Sequence, residues 1–420
     1  MAAQDGMAAQ DSVAAQDRAT APRRAGSQHR GRLLPARADH RRVVAAGIAA
    51  LVLTVGLARF AYTPMLPVMQ HEAGLSAVAG GWLATFNYAG YLTGALIAAR
   101  TRHLATKFLF YRIGLVAAAV TTLAMGFTDN VFLWAALRFV SGLSSTAGLL
   151  LASGLVLNWL IRERLRPELG LHFAGMGLGI VVSGLAVTPF TGLLAWNGLW
   201  LLLGVVGLVF FLPAWFWMPA PVAMSGHGAL VAPPPPSRRW MGLIVAAYFC
   251  AGFGYVISAT FLVAIVEHLP LFAGRGGWVW VMVGLAALPS TFFWDRVAAA
   301  LGGIRTLIVC YLLQIASFLF ALMSGSAAAA LAGGFLYGST FVGIVSLTLA
   351  IVGRCYPANP ARAMARMTLS YGAAQIIAPA MAGYIAALSG SYAGALAAAA
   401  AVMALGIGLL LMAGERPSAA

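Results

Sequence analysis

The chain has 420 residues, of which 61% are hydrophobic and 9% are charged, with a formal net charge of +15 and a mean hydropathy of +0.88. A soluble domain of this size does not carry so much apolar surface, so the composition excludes a soluble enzyme and a soluble binding protein. It predicts an integral membrane protein.

The N-terminal segment from Met1 to Arg42 is polar and lacks the large apolar residues that a core needs. It begins with three copies of AAQD at a six-residue period and then becomes basic. This composition predicts a disordered tail rather than a secretory signal, because the first hydrophobic run starts late and has the length of a full membrane span. A start codon assigned too early would give the same repeats, so their place in the native protein stays open.

Twelve long apolar runs follow the tail, each of about the 18 to 25 residues that an α-helix needs to cross a hydrocarbon core. They stay apolar instead of alternating at every second residue, which excludes the strands of a membrane β-barrel. We therefore predict an all-α integral membrane protein with twelve transmembrane helices in two six-helix bundles, 43–218 and 241–413. The predicted spans are Val43 to Val68, Ala79 to Ala99, Phe108 to Phe127, Val131 to Leu160, Gly170 to Thr191, Trp196 to Trp217, Met241 to Val266, Gly277 to Trp294, Ile304 to Met323, Ala327 to Val352, Ala365 to Leu388 and Tyr392 to Met412.

The positive charges are distributed unevenly about these spans. Apart from Arg59 and Arg138 inside spans and Arg275 on the other side, all of the 26 lysines and arginines fall on one side. By the positive-inside rule that side is cytoplasmic, so the net charge reflects topology rather than nucleic-acid binding. We predict a multi-pass protein of the bacterial inner membrane with the basic tail 1–42, the proline-rich linker 219–240 and the tail 414–420 in the cytoplasm. The four prolines from Pro233 to Pro236 favour a stiff, extended linker.

The second half of the chain repeats the first half at a constant offset of 196 residues. A duplication in the same orientation explains this offset. Parallel repeats related by an axis along the membrane normal place a solute site near the bilayer midplane, between the halves. The matching pairs include Gly81 and Gly277, Trp82 and Trp278, Arg100 and Arg296, and Gly142 and Gly338.

Two strings carry a resemblance to a known family. The first predicted span contains RFAYTPMLP, from Arg59 to Pro67, and the second contains GGWLATFNYAGYLTGAL, from Gly80 to Leu96. With these strings and the repeat, the chain resembles the major facilitator superfamily, and specifically the YbfB/YjiJ-type family, whose members carry R-F-x-Y-T-x-x-L-P in the first span. The resemblance covers about Val43 to Met412. It implies a monomer that works by rocking its two bundles, with spans one, four, seven and ten around a central cavity.

The landmarks of the superfamily match only in part. The loop pattern G-x-L-x-D-R after span two reads Ala95 to Arg100 here and lacks its acid, whereas the second half keeps Asp295 and Arg296. The resemblance implies gating or structural roles for Arg100, Asp295 and Arg296. It implies the same for Gly142, which ends the R-x-x-x-G pattern of span four. A glycine-proline antiporter motif in span five is only loosely present, which disfavours antiport.

Arg59 and Arg138 are the two charged residues placed well inside spans, where a charge is costly and commonly marks a solute site. At 1.5 Å per residue they lie about 13 Å and about 10 Å from the outer ends of spans one and four, so their heights are comparable. No Asp or Glu lies well inside a predicted span. Two unpaired guanidiniums therefore predict an anionic substrate. The alternative role for each is hydrogen bonding to neighbouring backbone carbonyls.

Further candidates share helical faces with these arginines or lie at related places in the second half. Tyr62 and Thr63 follow Arg59 at three and four residues, and Ser141 follows Arg138 at three. The second half has no charge at the matching positions, so it would supply hydroxyls and aromatic faces. Bonding between helices is the alternative role for every one of them. The candidates there are Tyr255, Ser258, Tyr337 and Phe341, and weaker ones are Asn87, Tyr88, Gln314 and Gln375.

The function that this pattern favours is a secondary active transporter of a small solute, an organic or other anion. An exporter of hydrophobic compounds or metabolites is the alternative. A membrane-embedded enzyme is a distant third, since the spans contain no metal cluster, acid pair or nucleophile triad. The sequence also lacks a phosphate-binding loop with its lysine, so the chain is not itself an ATP-driven pump.

No cofactor and no metal are expected, and the expected partners are a small-molecule substrate and the lipid bilayer. Proton coupling is a weaker hypothesis, because it depends on polar residues at the outer ends of spans one and seven. The alternative for these residues is a solvated loop. They are His71, Glu72, Glu267 and His268.

Overall fold

The computed structural model describes residues 33–165, 169–222, 236–267, 269–322, 326–356 and 360–415. The predictions for the first 32 residues, for Arg166, for the prolines at 233–235, for His268 and for residues 416–420 therefore lie outside the described residues. In the described part the secondary structure is helical, apart from one isolated β-bridge between Thr191 and Leu194.

The first half of the chain contains eight α-helices and two stretches of π-helix. Local capping explains several starts: Ser76 Oγ accepts a hydrogen bond from Ala79 N before the helix that begins at Ala77, and Asn130 Oδ1 accepts from Phe132 N before the helix that begins at Val131. The elements are α1 (Leu33–Leu51), the first π-helix (Val52–Phe60), α2 (Tyr62–Glu72), α3 (Ala77–Arg100), α4 (Leu104–Ala124), α5 (Val131–Thr146), the second π-helix (Ala147–Ala152), α6 (Ser153–Arg162), α7 (Gly170–Val187) and α8 (Trp196–Phe216).

The second half contains seven α-helices. A bend of 48° separates the helix Gly277–Ala287 from the helix Ser290–Leu301. It lies at Leu288 and Pro289, because a proline cannot donate the backbone hydrogen bond that would continue the first of these helices. The elements are α9 (Arg238–Glu267), α10 (Gly277–Ala287), α11 (Ser290–Leu301), α12 (Gly303–Leu322), α13 (Ala327–Cys355), α14 (Pro360–Ser389) and α15 (Ala393–Ala413).

The predicted fold class is confirmed. Ten helices of the described chain are long and apolar enough to cross a membrane, and eleven if α10 and α11 form one bent span. The remaining predicted span coincides with α3, whose 24 residues are long enough to cross but include the polar or small residues Thr85, Asn87, Gly90 and Gly94. Helix α3 packs between α5 and α14, so much of its surface faces protein instead of lipid. We number the spans one to twelve as predicted.

The repeat is visible in the packing of both halves. In the first half, a Cβ atom added to Gly142 of span four would lie 1.8 Å from the backbone oxygen of Asn87 in span two. A Cβ atom added to the matching Gly338 of span ten would lie 2.2 Å from the backbone oxygen of Val283 in span eight. Asn87 and Val283 are themselves 196 residues apart. Both halves thus bring the same two helices into backbone contact through a glycine at the same place.

In the described part of the chain the two halves make most of their contacts along three pairs of spans: one with seven, two with eleven, and five with eight. In the first pair, the hydroxyl of Thr63 donates to the backbone oxygen of Ala259, its counterpart at the 196-residue offset. In the second, Thr85 Oγ1 donates to Ile376 O at 2.9 Å. In the third, Trp280 Nε1 donates to Ser183 Oγ at 3.2 Å.

The two ends of this helical assembly differ. At the end that carries Glu72 and Glu267, which we call the glutamate end, hydrogen bonds join the halves: Gln70 Nε2 to the Tyr392 hydroxyl at 3.1 Å, and Trp82 Nε1 to the Tyr384 hydroxyl at 3.4 Å. At the other end, which we call the arginine end because Arg100 and Arg296 lie there, a cavity of about 520 Å³ separates spans two, four and eleven. We call this space the apolar cavity, since Leu, Ala, Ile and Met form most of its wall.

Candidate functional site

The centre of the site is the first π-helix, which ends one residue after Arg59. Its last turn is closed by a bond from Ala61 N to Gly56 O at 2.9 Å, five residues apart. Pro64 and Pro67 follow directly, and neither ring nitrogen can donate to the carbonyl four residues earlier. A wide turn of this kind is common at functional sites because it redirects side chains and leaves carbonyls available.

Arg59 is held by aromatic rings instead of a carboxylate. Its guanidinium carbon lies 4.4 Å from the centre of the Tyr88 ring and 4.7 Å from that of Tyr91, both in span two, and 5.6 Å from that of Phe60. The side chain is 5% exposed, and its Nε is buried without a hydrogen-bond partner in the described part of the chain. No described carboxylate forms an ion pair with it. Cation–π contacts thus stabilise a charge that keeps hydrogen-bonding capacity for an anion.

Arg138 has different surroundings. Its Nη1 donates to Ala58 O at 2.9 Å and its Nη2 to Arg59 O at 3.2 Å, while the ring of Tyr62 lies 4.5 Å away. Ser141 Oγ donates to the same Ala58 oxygen at 2.5 Å. These contacts fit the alternative role given above for Arg138, hydrogen bonding to neighbouring backbone carbonyls. Side chains of span four therefore hydrogen-bond the backbone carbonyls at the end of the π-helix, and these bonds fix the segment that carries Arg59.

Aromatic side chains of the second half face the Arg59 region. Tyr255 stacks with Tyr337, Phe341 and Tyr371, with ring centres 6.3, 5.5 and 5.7 Å apart. Tyr337 donates its hydroxyl to Tyr255 O at 3.0 Å, which fixes span ten against span seven. Tyr255 also lies within electrostatic reach of Arg59 and Tyr88. One cation and a group of stacked rings therefore meet across the boundary between the halves.

The other predicted binding residues make contacts between helices. Tyr62 donates its hydroxyl to Gly80 O at 2.9 Å, and Thr63 and Ser141 donate to the backbone oxygens already described. Ser258 is 2% exposed and lies one turn after Tyr255. Asn87 donates to Arg138 O at 2.9 Å, so this weaker candidate belongs to the network that positions Arg138. Their roles in binding stay predictions.

The predicted gating residues lie at the arginine end, with one exception. Arg100 is exposed at the end of α3, and Asp295 interacts electrostatically with Arg354 of span ten. Arg296 Nη1 donates to Phe292 O at 3.1 Å, within its own helix. Gly142 instead lies inside the first half, where it permits the close contact between spans two and four.

Three of the four residues considered for proton coupling lie around one cavity of about 330 Å³ at the glutamate end: His71, Glu72 and Glu267. Each glutamate accepts a backbone hydrogen bond at the start of a following helix, Glu72 from Trp196 N at 2.7 Å and Glu267 from Gly276 N at 2.8 Å. These bonds give both carboxylates a capping role. His268 lies outside the described residues.

Sequence reasoning missed Tyr91, Phe60, Tyr371 and His172. The spacing of Tyr88 and Tyr91, three residues apart, was a signal that both rings lie on one face of span two. His172 had no such signal, since a single histidine in an apolar helix is commonly a satisfied core residue. The structure buries it beside Ser153, with 2.8 Å between His172 Nε2 and Ser153 Oγ.

Two repeated bundles of membrane-spanning helices that meet across an aromatic site form the same fold as several solved membrane transporters. The family model described as "Uncharacterised MFS-type transporter YbfB" matches residues 51–411. The chain belongs to this family, and the predicted resemblance is confirmed. A search of curated proteins finds no significant match to the chain.

Several solved structures share the fold. A point variant of the nucleoside transporter NupG superposes with a TM-score of 0.71 at 10% identity, over 89% of this chain and 100% of that one. A bacterial homologue of the human lysosomal transporter Spinster, in an inward-facing and unoccupied conformation, gives 0.61 at 15% identity, over 89% and 97%. The human organic anion transporter MFSD10 gives 0.61 at 16%, over 88% and 99%. At such identities the likeness concerns the fold.

Proposed function

We propose that the chain is a secondary active transporter of a small organic anion with a planar or aromatic part. The observation that carries this proposal is the surroundings of Arg59: a buried cation with no described carboxylate partner, enclosed by Tyr88 and Tyr91 and facing the stacked rings around Tyr255. A carboxylate on the substrate would pair with the guanidinium, and its ring would pack among the tyrosines. Since Arg138 is engaged with carbonyls, one cation is available, which favours a monoanion.

Transport itself would proceed by alternating access across the inner membrane, with the arginine end and both termini in the cytoplasm. Two observations support this part of the proposal. The hydrogen bonds of Gln70 and Trp82 join the halves at the glutamate end, where the cavity of about 330 Å³ lies, while the apolar cavity of about 520 Å³ lies between spans two, four and eleven at the arginine end. Leu92, which lines that cavity, directly follows Tyr91 of the Arg59 site. The protein would act as a monomer, as the family resemblance implies.

The second candidate function is export of hydrophobic compounds. The wall of the apolar cavity favours it, because Lys107 is the one charged residue among the side chains that line it. A neutral apolar solute would bind there without using Arg59.

The two candidates are separated by ligands that share a ring and differ in charge. We expect benzoate to raise the thermal unfolding midpoint of the purified chain, and benzamide and benzylamine to leave it unchanged, because only benzoate can pair with Arg59. At a ligand concentration of 100 Kd the stabilisation amounts to about 2.7 kcal/mol. The Arg59→Met variant should fold normally and lose the response to benzoate, since the Arg59 side chain contacts aromatic rings and forms no ion pair in the described part of the chain.

Two results with the same three ligands would contradict the anion proposal. Equal stabilisation by benzamide and benzoate, unchanged in the Arg59→Met variant, would favour the exporter of hydrophobic compounds. An unchanged benzoate response in that variant would exclude Arg59 as the anion-binding group.

A further inference from the structure

His172 is unusual among the titratable side chains of this protein. It is the third residue of α7, and it is 1% exposed. Across the described ranges it is the one side chain among Asp, Glu and His that is fully buried. Buried arginine stays protonated, and tyrosine and cysteine ordinarily titrate above neutral pH. Within the described part of the chain, His172 is therefore the buried side chain whose ordinary pKa lies nearest to neutral, and its burial in this packing disfavours the protonated ring.

The hydrogen bonds of Ser153 determine which ring nitrogen of His172 is available. Ser153 Oγ donates its single proton to Leu149 O at 2.8 Å, and the same oxygen lies 2.8 Å from His172 Nε2. With this bond from Ser153 to Leu149, the hydrogen-bond network assigns the ring hydrogen to Nε2, which donates to Ser153 Oγ. Nδ1 is left with its lone pair, and it is buried without a hydrogen-bond partner. A proton would bind at Nδ1.

The space beside Nδ1 is closed by span one. A Cβ atom added to Gly47 would lie 2.5 Å from His172 Nδ1 and 2.8 Å from Val156 Cγ2 of span four. The backbone of span one thus covers the nitrogen at the point where spans one, four and five meet. In this packing a protonated Nδ1 would carry a buried N–H group with no acceptor, which is unfavourable. A shift of span five relative to span one would relieve it.

The charged groups on the neighbouring elements lie at the helix ends. On α1, which contributes Gly47, they are Asp39, His40, Arg41 and Arg42; on α6 and directly after it, Arg162 and Glu163, which pair at 3.0 Å; and on α11, which contacts α7, Asp295 and Arg296. Burial itself disfavours the protonated form of the His172 ring in this packing.

We propose that His172 is the proton-binding site of this transporter, and that protonation of Nδ1 disfavours the packing of span one against spans four and five seen here. Span one also carries Arg59, so a proton at His172 would act on the anion site through the same helix. Acidic pH would then shift the protein to a second arrangement of these spans. Only the coupling of the proton to a solute rests on the proposed function; the pH-dependent packing does not.

The first experiment measures hydrogen–deuterium exchange of the full-length purified chain at about pH 5 and about pH 8, corrected for intrinsic rates. Peptides that cover Gly47 and His172 should exchange about tenfold faster at the lower pH, the change expected when the proton affinity of one group differs by one pKa unit between two packings. The His172→Gln variant keeps an N–H group for Ser153 but cannot titrate, and its exchange should stay at the slow rate at both values. The matched control is His103→Gln, an exposed histidine before α4 that should keep the wild-type response.

A second experiment needs no substitution at His172. A variant that retains His172 and replaces the other six of the seven histidines by Gln gives one ¹⁵N-imidazole signal, whose titration is followed by NMR. The proposal requires this signal to titrate within about pH 4.5 to 8.5. A flat signal, or a His172→Gln protein with the wild-type pH response, would overturn it. Failure of the benzoate test would remove the anion proposal and leave both of these results unaffected.

Discussion

The Arg138→Met variant is expected to lose about 3–5 kcal/mol of stability, because two buried backbone carbonyls lose their charged hydrogen-bond donor. Those carbonyls belong to Ala58 and Arg59, at the end of the π-helix. Methionine fills a similar volume, so the loss reports the hydrogen bonds more than a cavity. The measurement is the thermal unfolding midpoint of the purified protein together with its monodispersity.

The matched comparison for this variant is Arg59→Met, which removes the same charge from another buried position, in span one. We expect it to be nearly as stable as the wild type, since the Arg59 side chain contacts rings and no described carboxylate. The stability of the Arg138→Lys variant should lie between those of the two methionine variants, because one ammonium nitrogen replaces the two guanidinium nitrogens that donate to the carbonyls. A stable Arg138→Met protein that has lost its benzoate response would instead assign Arg138 to the substrate, as the sequence first predicted.

The second large effect is expected from Gly142→Ala. The added methyl group would lie 1.8 Å from the backbone oxygen of Asn87, so spans two and four must separate, and the bond from Asn87 to Arg138 O would be lost. We expect a cost of about 3 kcal/mol or more, at the upper end for an overpacked core. Gly338→Ala should cause a comparable loss in the second half, where the methyl group would meet Val283 O.

Gly154→Ala provides the control for both glycine substitutions. It lies in the same span as Gly142, but nothing comes within 4 Å of its added Cβ. Alanine should stabilise that helix by about 0.5–1 kcal/mol, through its higher helix propensity. Equal unfolding midpoints for the Gly142→Ala and Gly154→Ala proteins would show that spans two and four can separate without cost.

Hydropathy and the repeat were sufficient to predict the fold, since lipid requires long helices whose length is readable from the sequence. The prolines Pro64, Pro67, Pro289 and Pro379 were each candidates for a kink or a span end, but the sequence could not predict which of them bends its span by 48°, as Pro289 does, because prolines also occur in straight helices whose neighbours hydrogen-bond the free carbonyl. Nor could the sequence predict that α3 is covered by protein, which depends on glycines that let α5 and α14 approach. The π-helix before Pro64 likewise depends on a neighbouring helix, because side chains of span four donate hydrogen bonds to its carbonyls.

The candidate site was predictable only where charge made a residue conspicuous. The cost of burial identified Arg59 and Arg138, but their different partners arise from contacts between helices that no spacing along one helix encodes. Backbone carbonyls, which hold Arg138, are present at every residue and leave no pattern in a sequence. His172 was missed for the related reason that its burial and its bond to Ser153 depend on how spans one, four and five meet.

The contact between Thr63 and Ala259 joins two positions that occupy the same place in the two repeats. In a symmetric homodimer, a residue near the symmetry axis touches its own copy in the partner subunit. Because the two halves here belong to one chain, the residues on the two sides of that axis differ: Arg59 in the first half corresponds to Tyr255 in the second. A guanidinium on one side and aromatic rings on the other are therefore available to a single solute, which two identical subunits would not provide.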